Sequence, residues 1–233
     1  MTNSQTFSSN KEELEKIGAA YDAEQMLNVR KMTRDIIHRI ADTVKPGMVE
    51  EDAVEMAKDM LAEAGMLQGW HDVFLRFGPN TIKTFGAPSE PGVVLGDDDI
   101  FLIDIGPVWK DWEGDGGDTF VTGANGEMRK CAEDARDIFH LTRKFWSKHR
   151  ATGMELYNYA DRLAQQRGWE LNMDLSGHRI GDFPHASVYE GPLADVEFNP
   201  AERLWVLEIH IRHPSKAIGA FFEDMLLEDS FFN

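Results

Sequence analysis

Cysteine is almost missing: Cys131 is the sole thiol among 233 residues. One cysteine excludes a disulfide within this sequence and a thiolate cage for zinc. Positive charge is also scarce. Lys and Arg total 24 against 41 Asp and Glu, a formal net charge of −17. A field of that sign serves solubility, draws in cations and repels phosphate backbones, so no nucleic-acid partner is expected. No apolar run approaches the ~18 residues of a membrane span, and no membrane partner is expected. The opening MTNSQTFSSNKEELEKIG lacks the basic-then-apolar layout of a secretory signal, which leaves a cytoplasmic address as the default. Low-complexity tracts and long linkers are absent as well. What is present, 42% hydrophobic and 28% charged residues, is ordinary for a globular domain with a sizeable core. A single domain over 1–233 is expected, with 1–10 flexible.

Helical spacing recurs in pairs. Ser9-Asn10-Lys11-Glu12 has the form of a capping box. It predicts a long helix to about Asp42, with Met26, Met32, Ile36, Ile37 and Ile40 on its apolar face. Lys45-Pro46-Gly47 breaks it. A second helix is expected over about Glu50–Ala64, ended by Gly65. From 70 to 122, Gly, Pro and Asn punctuate short apolar stretches, which reads as strands and turns. Helices return over about 126–149 and 154–167, and Gly168 closes the latter. Strand-like runs then follow, such as 204–211 and 221–227. Helix, helix, strands is therefore read twice. Gly47-Met48 and Gly153-Met154, before matching helices, are a weak echo of a duplication. Segregated helices and strands argue for α+β.

Two acids need an explanation. Asp104 ends the apolar run Ile100-Phe101-Leu102-Ile103, and Asp115 comes eleven positions later. Burying a lone carboxylate costs several kcal/mol or forces it to take a proton. If Lys110-Asp111 is a two-residue hairpin turn, Trp109 faces Trp112 and Asp104 faces Gly117. Asp115 then shares a face with Gly117, and the two carboxylates are diagonal neighbours roughly 7 Å apart at Cβ. A loop one residue longer favours Asp118 instead. Carboxylates that close repel unless a proton or a cation sits between them, and divalent metal satisfies both.

Two further acids interrupt apolar strands, Glu208 in Val206-Leu207-Glu208-Ile209 and Glu223 in Phe221-Phe222-Glu223-Asp224. Four such acids share one solution if they share a metal centre. His178 sits between glycines in Ser176-Gly177-His178-Arg179-Ile180-Gly181, and His185 follows seven residues later.

The ordered set Asp104, Asp115, His178, Glu208, Glu223 resembles the five-ligand site of the pita-bread metallopeptidases, the group of methionine aminopeptidase, aminopeptidase P, prolidase and creatinase. The Asp spacing, the Gly-His-x-Ile-Gly loop, the His-to-His spacing, Lys45-Pro-Gly-Met48 and the stretch Asn80 to Pro88 carry the likeness. It spans roughly residues 12 to 230. Glu223-Asp224 is closer to the Xaa-Pro peptidase branch. The resemblance implies two pseudo-symmetric helix-helix-strand halves, with a curved antiparallel sheet covered by helices. It implies two divalent ions, with Asp104 binding one, Asp115 and Glu223 bridging, and His178 and Glu208 completing the other. Ligand type leaves Mn, Fe, Co and Zn open. It implies Glu208 as proton shuttle, His178 within the catalytic set, and His185 bonding the substrate or the tetrahedral intermediate.

The sequence also departs from the family. Phe85 stands where a substrate-contacting His is usual, Asp174 replaces a His, Phe221 an Arg and Ile209 a Pro. A Phe can neither donate a hydrogen bond nor move a proton. Among replacements, His210 shares a strand face with Glu208 and is the preferred substrate-binding candidate, whereas His71 and His213 read as surface or structural. Trp109, Trp112, Phe120 and Trp205 read as core, and Asp97-Asp98-Asp99 as a solvated turn. The leading expectation is a metal-dependent hydrolase of C–N bonds, acting on Xaa-Pro peptides or a small non-peptide amide or amidine. A non-catalytic peptide- or protein-binding module and a metal-dependent oxidase are the alternatives. The expected partners are a small molecule or short peptide, and a second copy of the chain in a homodimer.

Overall fold

The computed structural model describes residues 11–66, 68–182 and 189–232. Four long helices occur among the described residues, α1 (Ala23–Thr43), α2 (Glu50–Glu63), α3 (Gly126–His149) and α4 (Gly153–Arg167). The strands are β1 (Gln68–Gly69), β2 (Phe74–Phe77), β3 (Ile100–Ile105), β4 (Pro107–Trp109), β5 (Trp112–Glu113), β6 (Gly116–Val121), β7 (Glu170–Leu171), β8 (His178–Arg179), β9 (Trp205–Arg212) and β10 (Gly219–Met225). One sheet runs in the order β2-β3-β6-β10-β9-β7, with β8 also paired to β9, and β1-β4-β5 form a small second sheet. Every described pairing is antiparallel. The last strand of each half, β6 and β10, meets its counterpart at the centre. That is the arrangement expected of two helix-helix-strand halves.

Local chemistry sets the helix ends. Gly65 and Gly168, at φ +95° and +86°, terminate α2 and α4. Asn125 caps α3 by accepting from the backbone N–H of Glu127 and Met128. Thr152 and Glu155 form a reciprocal capping box for α4. The first helix differs from expectation. It starts only at Ala23, where the Asp22 side chain accepts from Glu24 and Gln25 N–H; residues 11–14 form a separate helical turn. Ser9 lies outside the described residues. A cap of this kind contributes ~1 kcal/mol and an interior Gly costs about as much, so Gly18 and Asp22 together favour the later start. Glu15 is drawn elsewhere, accepting from Ala201 N and Trp205 Nε1. Met32 is 42% exposed, and Val29 and Thr33 take the inward positions instead.

The core forms two clusters. Ile138, Phe139, Leu156 and Tyr157 of α3 and α4 pack on Trp205, Leu207, Ile209 and Phe222. Ile36, Ile37, Ile40 and Leu61 of α1 and α2 pack on Leu75, Phe77, Phe101 and Ile103. Trp109 and Trp205 are buried as expected. Asp97 and Asp98 form a bend, and Asp98 and Asp99 accept backbone N–H groups at Ala124, Asn125, Gly96 and Ile100. No described helix is long and apolar enough to cross a membrane.

Candidate metal centre

The turn at Lys110-Asp111 decides the geometry. Lys110 adopts a left-handed φ of 59°, and Trp109 pairs with Trp112. The same register continues into the large sheet, where Asp104 pairs with Gly117 and Ile103 with Asp118. Asp118 therefore turns to the opposite face, where Arg34 and Arg136 hold its carboxylate at 2.9 and 2.7 Å. Next along the sheet, Glu223 faces Gly117 on one side and Glu208 on the other. His178 enters on β8, opposite Val206. Asp104, Asp115, His178, Glu208 and Glu223 all line one cavity of about 470 Å³.

Contacts within it are short. His178 Nε2 lies 2.9 Å from Asp115 Oδ2, while its Nδ1 lies 2.7 Å from the Arg179 carbonyl oxygen. A carbonyl only accepts, so Nδ1 carries the proton and Nε2 faces the acids. Gly177 N–H donates to Glu208 Oε2 at 2.6 Å, and the Tyr157 hydroxyl donates to the Glu208 carbonyl. Tyr157 thereby fixes the strand at that residue. Burial pushes Asp104 up to about 6, against the pull of His71. Burial likewise lifts Glu208 to about 7, opposed by His178. Burial and the charges of Asp115, Asp104 and Glu208 hold Glu223 well above the carboxylate range. Asp115 goes the other way: burial would raise it, but hydrogen bonds from His178 and His71 lower it. Burial would depress His178, yet Asp115 and Glu208 raise it to about 10.

The two faces of the sheet treat their acids differently. On the helix side Asp118 has two arginines, and Arg30 holds Asp224 through two hydrogen bonds of 2.6 and 2.7 Å. On the cavity side, among the described residues, imidazoles alone form ion pairs with Asp104 and Asp115. Glu223 Oε1 is buried without a hydrogen-bond partner among them. Two groups of donors lie close enough to hold an ion each: His71, Asp104 and Asp115, and Asp115, His178 and Glu223. Carboxylates in excess, an orphaned buried oxygen and correctly turned imidazoles fit divalent cations.

Other sequence expectations meet mixed outcomes. His185 lies outside the described residues. Phe85 is 51% exposed on the cavity wall, its ring edge-on to His71 and Phe74. Asp174 also lines the cavity. His210 is corrected to an interior role: it is buried, its Nε2 bonded to the Thr81 carbonyl at 2.8 Å and its Nδ1 to Asn172 at 3.0 Å. Both nitrogens are committed inside the protein. His71, read as surface or structural, instead points its Nε2 at Asp115 (3.4 Å) and Asp104 (3.6 Å). Its neighbour Trp70 lies edge-on to both His71 and His178. No short-range pattern around Trp70-His71 marks either residue, since their place at the cavity depends on the pairing of β1 with β4. His213 belongs elsewhere, 3.4 Å from Glu127.

Comparison with curated protein sequences gives no match. Among solved structures, the X-Pro aminopeptidase of Thermotoga maritima aligns with a TM-score of 0.74 at 17% identity, over 94% of this chain and 61% of that one. The prolidase of Pyrococcus horikoshii aligns at 0.69 and 17% identity, over 92% and 61%. The Xaa-Pro dipeptidase of Bacillus anthracis aligns at 0.69 and 14% identity, over 95% and 61%. The chain thus spans about three-fifths of the length of these relatives. The fold is the pita-bread fold. The model of metallopeptidase family M24 matches residues 24–228, and the chain belongs to that family.

Proposed function

We propose that this chain is a dinuclear metal-dependent hydrolase of C–N bonds, with Asp104, Asp115, His178, Glu208 and Glu223 holding two divalent ions. One observation carries the reading: four carboxylates converge on a cavity whose described acids form no ion pair with Lys or Arg, while acids on the sheet's other face have arginines. When bound, such ions supply Lewis acidity and a water of lowered pKa. The chain's own residues do the rest. Glu208, whose carboxylate stands at the cavity beside the other acids, is the group placed to take a proton from water and return it to a leaving amine. The Gly177 N–H and Tyr157 keep it in place. His178 is held in one tautomer by the Arg179 carbonyl.

The cavity wall suggests the substrate class. Trp70, Phe85, Met173 and Pro192 offer an apolar surface beside the acids. A short Xaa-Pro peptide, or a small amide with an apolar part, suits that surface, and the relatives' activities favour the peptide. Phe85 cannot donate to a peptide carbonyl, so any such donor comes from another side chain. The test loads the purified chain with Mn, Fe, Co or Zn and assays a panel of Xaa-Pro peptides and simple amides. Amine release that stops with chelator and with Glu208→Gln supports the reading. A protein that binds no divalent ion sinks it.

A further inference from the structure

His71 has the same hydrogen-bond geometry as His178. The Nδ1 of His71 lies 2.7 Å from the carbonyl oxygen of the next residue, Asp72. The Nδ1 of His178 lies 2.7 Å from the carbonyl oxygen of its own next residue, Arg179. A neutral ring held in this way presents the Nε2 lone pair. In both cases Nε2 faces Asp115, His178 meeting Oδ2 at 2.9 Å and His71 meeting Oδ1 at 3.4 Å, and a cation between them would take the place of the Nε2 proton. His71 Nε2 is also 3.6 Å from Asp104 Oδ1. As hydrogen bonds, 3.4 and 3.6 Å are poor. As separations between donors on one ion, 3.4 Å matches and 3.6 Å is a few tenths of an ångström wide, because ligands at ~2.1 Å lie ~3.0–3.4 Å apart in octahedral or tetrahedral arrays.

The surrounding backbone makes room for this approach. A Cβ on Gly106 would sit 2.1 Å from His71 Cδ2 and 2.4 Å from its Nε2, so only a bare backbone admits the ring. The Trp70 N–H donates to the Gly106 carbonyl at 2.9 Å, and β1 pairs with β4 beside it. These contacts carry residue 71 to the end of β3 that bears Asp104. The side chain is only 7% exposed, which is little for a histidine without a task.

We propose that His71 is a sixth metal ligand, binding through Nε2 on the Asp104 side of the centre, so that each ion has one imidazole. The inference rests on the proposed metal site and deepens it. A nitrogen donor on an otherwise all-carboxylate site shifts its preference from Mn(II) toward Co(II), Fe(II) and Zn(II).

The test uses chelator-stripped full chain, titrated calorimetrically with Co(II). X-ray absorption of the loaded protein then counts imidazoles per ion. Wild type should take two ions with about one imidazole per ion, and His71→Ala should bind the second at least ~10-fold more weakly, with about half the imidazole count. His71→Asn, whose amide can keep the bond to the Asp72 carbonyl while losing Nε2, should match His71→Ala, and it serves alone if the Ala variant does not fold. Two ions bound with unchanged affinity and imidazole count in the variants would overturn the role of His71 and leave the centre standing. No divalent ion bound by wild type would overturn the centre itself.

Discussion

Glu223 and Gly117 face each other across the middle of the sheet, and a Cβ on residue 117 would lie 3.1 Å from Glu223 Oε1 and 2.5 Å from the Phe221 ring. The bare backbone of one half thus makes room for the acid of the other. Gly117→Ala is expected to cost about 1–3 kcal/mol through overpacking and to weaken metal binding by moving Glu223. Urea unfolding and calorimetric metal titration check it. A variant equal to wild type in both would show that the Phe221 ring yields at no cost.

Asp115 is the acid that meets two imidazoles, one at each oxygen. Asp115→Asn removes its charge and one of those acceptors while keeping the volume. Metal affinity should fall by more than the ~10–100-fold typical of outer-shell changes, read as ions lost on dialysis. Retention of both ions by the Asn variant would remove Asp115 from the bridging role.

Stability should depend on the ions. Four acids crowd one cavity, and a ligand that binds only the folded state stabilises it by about 2.7 kcal/mol at 100 times its Kd. For a chain of this length that corresponds to about 5–10 °C in Tm. Thermal melts with and without chelator measure the shift. Identical melting temperatures at saturating Mn, Fe, Co and Zn would contradict it.

His210 predicts a pH effect of definite sign. Burial pushes its pKa from 6.5 down to about 3, so the unfolded chain binds that proton more readily. The stability from His210 is complete above about 6.5 and is lost as pH falls toward 3, by about 2 kcal/mol at pH 5. Asp104 and Glu208, raised by burial, act oppositely: their contribution is present at low pH and lost as pH rises through about 6 and 7. The comparison is therefore between wild type and His210→Gln, by urea unfolding in chelator at pH 7 and 5. The variant should lose about 2 kcal/mol less on acidification. Equal losses would mean that His210 is not held neutral.

Much of the site was legible because it depends on local rules. A two-residue turn at Lys110-Asp111 puts Asp104 opposite Gly117 whatever surrounds it, since side chains alternate with period two. Glycines after α2 and α4 end those helices through their own φ preference. His71 was not legible. Its approach to Asp115 depends on the gap at Gly106 and on the pairing of β1 with β4, and neither is marked in the seven residues around it. His210 shares a strand face with Glu208, as alternation requires. Yet Thr81 and Asn172, far away in the chain, take both of its nitrogens.

By itself, then, the sequence determined which residues alternate onto which strand face, where α2, α3 and α4 begin and end, and that several acids would stand inside apolar strands. Those outcomes follow from backbone sterics over a few residues. The tertiary structure alone decided which acids receive arginine and which do not, which histidine joins the cavity, and where α1 starts. Each of these is a competition between partners brought together from opposite ends of the chain, and only packing sets the distances that settle it.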